Sequence, residues 1–223
     1  MQPDAIRFMS AESMLESKQT SLLIIEPRKE TKVVIGVPHH APAGVTKLPC
    51  PEHEDSDENT GFLGRYIAEA LQCSSIIACN YTMDVNKCNR TDYAIQIAKW
   101  KPKILIEIHG HKGRANHGKA NYDIEISSGS LGREQHSKQV AKQLETAFTN
   151  SDLEQHTICG EFLKINFKAS SSVTITDERW IAYHIELPPE LRKPCNGSSG
   201  KPPPIGYQFC NALISAIKVI HEL

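Results

Sequence analysis

The nine residues Lys32-Val33-Val34-Ile35-Gly36-Val37-Pro38-His39-His40 form a short apolar, β-branched run that ends in a proline and two histidines. Such a run, too brief for a helix, reads as a strand over Lys32–Val37 with the histidines at its carboxyl end. The design returns in Lys103-Ile104-Leu105-Ile106-Glu107-Ile108-His109-Gly110-His111. A third run, Ile181-Ala182-Tyr183-His184-Ile185-Glu186-Leu187, alternates so that His184 and Glu186 share one face. Three strand ends therefore bring imidazoles and a carboxylate toward one crevice.

Outward from these runs, Leu22–Glu26, Ser75–Cys79, Ile104–Ile108, Ile124–Ser127, Phe162–Phe167 and Ile181–Leu187 are expected strands. Apolar residues recurring every three or four positions predict helices over Phe62–Gln72, Tyr93–Lys99, Arg133–Phe148 and Tyr207–His221. This alternation predicts one α/β domain spanning residues 1–223, a mixed, largely parallel sheet flanked by helices, with ligands beyond the carboxyl ends of the strands. The segment Pro188–Pro204 holds too many prolines and glycines for a regular element and is expected to be an exposed loop, either a connector or a lid.

Composition excludes several classes of function. With 25 Lys and Arg against 26 Asp and Glu, the formal net charge is -1 and there is no basic stripe for nucleic acid. No apolar run approaches the roughly 20 residues that span a bilayer, and the first 19 residues lack the order of a secretory signal, so a cytoplasmic, soluble protein is expected. The seven cysteines contain no CxxC pair and are expected as reduced thiols. Walker A, HExxH, GxSxG and strand-borne GxGxxG motifs are absent. The loop His109–Arg114 holds glycines and cations, but phosphate loops lead straight into a helix, and here the helical pattern begins only at Arg133.

Between the first two histidine strands lies the acidic patch Glu52-His53-Glu54-Asp55-Ser56-Asp57-Glu58, just before a helical pattern. Catalytic zinc takes three imidazole or carboxylate ligands and leaves a fourth position to water. His39, one of Asp57 and Glu58, and His109 meet that count.

The chain resembles the N-formylglutamate amidohydrolase family, a branch of the zinc-carboxypeptidase-like hydrolases. Val37-Pro38-His39 resembles the family's opening histidine motif. Met83-Asp84-Val85-Asn86-Lys87 with Asn89-Arg90 is similar to its "vDlNR" segment, with lysine where arginine is usual. Ile106-Glu107-Ile108-His109-Gly110 resembles "DxHS", with Glu for Asp and Gly for Ser, and His184-Ile185-Glu186-Leu187 resembles the late strand of the catalytic glutamate. The resemblance spans roughly residues 33–187. It implies one zinc ion per chain held by His39, His109 and either Asp57 or Glu58, with Glu186 as general base. It implies further that Asp84, Asn86 and Arg90 bind substrate, Arg90 also polarising the scissile carbonyl, and that His40 touches substrate or a metal ligand. Arg114, Arg133, Arg179 and Arg192 read as surface charges that are further candidates for a carboxylate. The expected activity is hydrolysis of a small, carboxylate-bearing N-acyl amino acid. A non-catalytic module of the same fold and a carboxypeptidase or γ-glutamyl amide hydrolase are the alternatives.

Overall fold

The structure, a computed structural model, describes residues 10–114, 120–194 and 200–223. Cys195, residues 1–9 of the amino-terminal segment and residues 195–199 of the Pro188–Pro204 segment lie outside the described residues. The elements run α1 (Ala11–Leu15), β1 (Leu22–Glu26), β2 (Glu30–Ala41), β3 (Asp57–Glu58), α2 (Thr60–Leu71), β4 (Cys73–Cys79), α3 (Asp92–Trp100), β5 (Ile104–Gly110), β6 (Ile124–Ser127), α4 (Glu134–Phe148), β7 (Ile158–Cys159), β8 (Ile181–Leu187), α5 (Pro189–Arg192) and α6 (Pro204–His221).

The described strands join one sheet in the order β1-β4-β2-β5-β8-β6-β7, with β3 added beside β2. The pairs β4-β2, β2-β5 and β5-β8 are parallel, as are β2-β3 and β6-β7, whereas β1-β4 and β6-β8 are antiparallel. The mixed, largely parallel sheet flanked by helices is thus the observed fold.

Strand alternation divides the core. Ile104, Ile106 and Ile108 of β5 and Tyr183, Ile185 and Leu187 of β8 pack with α2, α4 and α6 on one face. Leu105 and Ala182 pack on the other face with Tyr93 and Ile97 of α3. By the same period of two, Glu107, His109, His184 and Glu186 belong to the α3 side. The β5-β8 register sets Glu107 opposite His184 and His109 opposite Glu186.

Two expected features are corrected. Phe162–Phe167 is not a strand but a series of turns, because the backbone N–H groups of Asn166 and Phe167 donate to the buried Glu125 carboxylate, each at 2.8 Å, instead of to a ladder. The Pro188–Pro204 segment is not wholly an exposed loop. Pro189 and Pro204 lie at the starts of helices α5 and α6, where a missing N–H costs nothing, and α5 buries Leu191 and Arg192. Cys50, Cys79, Cys88, Cys159 and Cys210 carry free thiols. No described helix is long and apolar enough to cross a membrane.

Candidate metal centre

His39 leaves the carboxyl end of β2, Asp57 opens β3, and His109 stands near the end of β5. All three are buried. His39 Nδ1 and His109 Nδ1 each lie 3.4 Å from Asp57 Oδ2. Two donors about 2.0–2.1 Å from a tetrahedrally held ion stand about 3.4 Å apart, so this spacing fits a shared cation. His39 Nδ1 and Asp57 Oδ2 also lie buried with no hydrogen-bond partner in the protein. These three residues can hold a metal ion.

The far nitrogens are held by carboxylates. His39 Nε2 is 2.9 Å from Asp84 Oδ1, and His109 Nε2 is 3.4 Å from Glu107 Oε2. An imidazole whose outer N–H is taken by a carboxylate presents its other nitrogen to a metal in a fixed direction. Burial works against charge on both rings, but Asp57 and Asp84 lift His39 above the ordinary histidine value, and Asp57 and Glu107 lift His109 to about 10. Asp57 thus favours a cation between the two Nδ1 atoms, while Asp84 and Glu107, on the far nitrogens, make the rings more basic ligands.

Glu107, His109 and His184 form a second buried group with metal-ligand atoms. Its carboxylate is already committed, since Glu107 Oε1 accepts from the Tyr93 hydroxyl (3.0 Å) and Thr174 Oγ1 (2.7 Å), and Oε2 from Asn86 (3.4 Å). Gly36 makes room for this bundle, because a Cβ there would collide with the Tyr93 hydroxyl. The His39-Asp57-His109 group is therefore the better candidate for a metal site.

Beside it, Glu186 Oε1 is 3.0 Å from His184 Nε2, while Glu186 Oε2 is buried without a partner. Burial raises the Glu186 carboxyl above the usual carboxylate range, against the pull of His109. Burial and the neighbouring His109 hold His184 well below the ordinary histidine value, so it is a neutral ring that donates through Nε2.

These groups face a cavity of about 740 Å³ whose lining includes His39, His109, His184, Glu186, Asn86 and Lys87. His53 also lines it and stacks on His39 at 3.9 Å between ring centroids. Lys112 and Lys193 are paired with Asp55 and Glu58, each at 2.6 Å. Lys87 Nζ donates to Ser171 Oγ at 2.8 Å, and among the described residues no carboxylate pairs with Lys87 or with Lys168 on the same wall.

Several expected site residues stand elsewhere. Glu58 follows Asp57 on a strand, so its side chain points the other way, to Lys193 and to the Gly44 N–H at 2.8 Å. It offers nothing to the metal group. His40 is fully buried beside α2 and does not line the cavity. Its Nε2 donates to the Leu15 carbonyl and its Nδ1 accepts from the Gly61 N–H, each at 3.0 Å. Asp84 turns to His39 rather than to the cavity, which it does not line. Arg90 is exposed just before the first turn of α3, beside the Cys88 thiol, and does not line the cavity either. Of the other arginines among the described residues, Arg192 alone reaches the cavity, and it is buried. Glu107, Gly110 and Lys87, the three departures from the family pattern, each have a place: Glu107 at His109, Gly110 beneath Arg192, and Lys87 in the cavity.

Sequence reasoning missed His53 and the supporting roles of Glu107 and His184, and it read Arg192 as a surface charge where the structure buries it. Glu107 and His184 were reachable, since each lies two residues from a site residue on the same strand face. Nothing in the sequence marks His53 as a stacking partner of His39 or Arg192 as buried.

No protein-family model and no curated protein sequence matches the chain. Its fold is similar to that of solved structures at low identity. One is the N-formylglutamate amidohydrolase of Ralstonia eutropha, with a TM-score of 0.51 and 11% identity, covering 90% of this chain and 97% of that one. Another is a bacteriophage poly-gamma-glutamate hydrolase, with a TM-score of 0.50 and 12% identity, covering 95% of each chain.

Proposed function

We propose that this chain is a zinc-dependent amidohydrolase that cleaves the amide of a small, carboxylate-bearing N-acyl or γ-glutamyl amino acid. The observation that carries the reading is the convergence of His39 Nδ1, Asp57 Oδ2 and His109 Nδ1 beside the open oxygen of Glu186. The two solved structures described above are named for glutamate-containing substrates, which is in keeping with an acidic amide here.

When bound, zinc lowers a water's pKa toward about 7 and polarises an amide carbonyl. The chain's own residues supply the rest. Glu186 takes the attacking water's proton at Oε2 and hands it to the leaving amine as the C–N bond breaks. His184 fixes Oε1, so the open oxygen keeps one direction. A carboxyl raised by burial is suited to both acts, because it accepts a proton more readily than an ordinary carboxylate does. Asn86 Oδ1 and His184 Nδ1, both buried without partners, offer acceptors to the substrate's N–H groups. Lys87 takes the carboxylate role first expected of Arg90, as a point charge rather than a planar fork.

The test is a panel of N-formyl, N-acetyl and γ-glutamyl amino acids, acidic and neutral, incubated with zinc-loaded protein while released amine is followed. Hydrolysis of acidic members ahead of neutral ones is expected. A zinc-loaded protein that cleaves none of them would leave a binding module in its place.

A further inference from the structure

Arg192 is 2% exposed, and among the described residues no carboxylate pairs with its guanidinium. It donates instead to three backbone carbonyls: Nε to Leu187 at 3.0 Å, Nη1 to Glu58 at 3.1 Å and Nη2 to His111 at 2.6 Å. Burying a cation this way is costly, which makes its geometry informative. Leu187 follows Glu186, Glu58 follows Asp57, and His111 lies two residues beyond His109. One planar fork thus spans the backbone beside three residues of the site.

Asp57 has the greatest need of such support. It lies on a strand of two residues, a pairing too short to fix a side chain well. The adjoining Asn59 is in the left-handed region at φ 65°, and its Nδ2 donates back to the Arg192 carbonyl at 2.9 Å. Arg192 is therefore bonded to both residues that follow Asp57, through its guanidinium to the Glu58 carbonyl and through its own carbonyl to the Asn59 side chain. Gly110 belongs to the same device, since a Cβ there would collide with the guanidinium.

We propose that Arg192 is the positioning residue of the metal centre, holding Asp57 and Glu186 in register with His109 through the carbonyls of three strand ends. The inference rests on the metal-dependent reading above.

Zinc affinity, measured by competition with a chelator, tests it in wild type, Arg192→Lys and Arg192→Ala, each shown by circular dichroism and melting to be folded at the assay temperature. A lysine ammonium cannot span three carbonyls as a planar fork does. Arg192→Lys is expected to bind zinc about 10–100-fold more weakly. In Arg192→Ala, added ethylguanidinium is expected to restore part of the lost affinity while leaving wild type unchanged, which a general loss of stability would not produce. If Arg192→Ala does not fold, Arg192→Lys decides alone. Zinc bound by Arg192→Lys as tightly as by wild type overturns the inference and spares the metal centre. A wild type that takes no zinc overturns the metal centre, and the inference with it.

Discussion

His39 Nε2 lies 2.9 Å from Asp84 Oδ1, and that bond turns Nδ1 of the same ring toward Asp57 Oδ2 at 3.4 Å. Asp84 therefore acts through His39. Asp84→Asn keeps the shape but removes the anionic acceptor, and zinc affinity is expected to fall about 10–100-fold in a protein that still folds. Chelator competition reads this directly. Unchanged affinity would mean that packing against His53 alone sets the ring.

Glu186→Gln is expected to keep stoichiometric zinc and lose turnover by about 10²–10⁴-fold, since an amide cannot take the proton. The comparison requires a substrate from the acyl-amino-acid panel. Wild-type turnover in this variant would remove Glu186 from the chemistry.

Strand grammar was the legible part of this chain. β1, β6 and β8 occupy the ranges that their apolar runs predict, and the histidines stand at the carboxyl ends of β2 and β5 as expected. Phe162–Phe167 misled because its aromatic and aliphatic residues mimic a strand while its N–H groups serve Glu125. Asp57 and Glu58 stayed indistinguishable because a two-residue strand has no periodicity to read. Neighbours on a strand face opposite ways, a rule that also separates His39 from His40 and was available from the sequence. Arg90 and Lys87 are divided by the path of a turn, which the residue order does not encode.

Lys87→Met is expected to raise KM for acidic amides about tenfold or more, a surface-to-cavity charge contact being worth on the order of 1–2 kcal/mol, with kcat little changed. Neutral amides should be indifferent to the change. Equal KM values for acidic substrates in the two proteins would exclude Lys87 from carboxylate recognition.

His40 links stability to pH. Burial, opposed by its bond to the Leu15 carbonyl, lowers it to about 4, below its value in the unfolded chain. The unfolded state therefore binds the extra proton between about 6.5 and about 4, so stability is complete above that window and falls as pH drops through it. The loss is on the order of 3 kcal/mol. Urea unfolding of chelator-treated wild type and His40→Asn across this range should show a shallower slope in the variant, and parallel slopes would contradict the assignment. Any substrate hydrolysed by wild type should keep its KM in folded His40→Asn.

The central claim is the metal centre, and elemental analysis of protein purified without a polyhistidine tag tests it most directly. Wild type and Glu58→Gln should each carry about one zinc per chain, whereas Asp57→Asn and the His39→Ala/His109→Ala double variant should carry none. No zinc in the wild type after reconstitution, or zinc that survives loss of both histidines, would contradict the account.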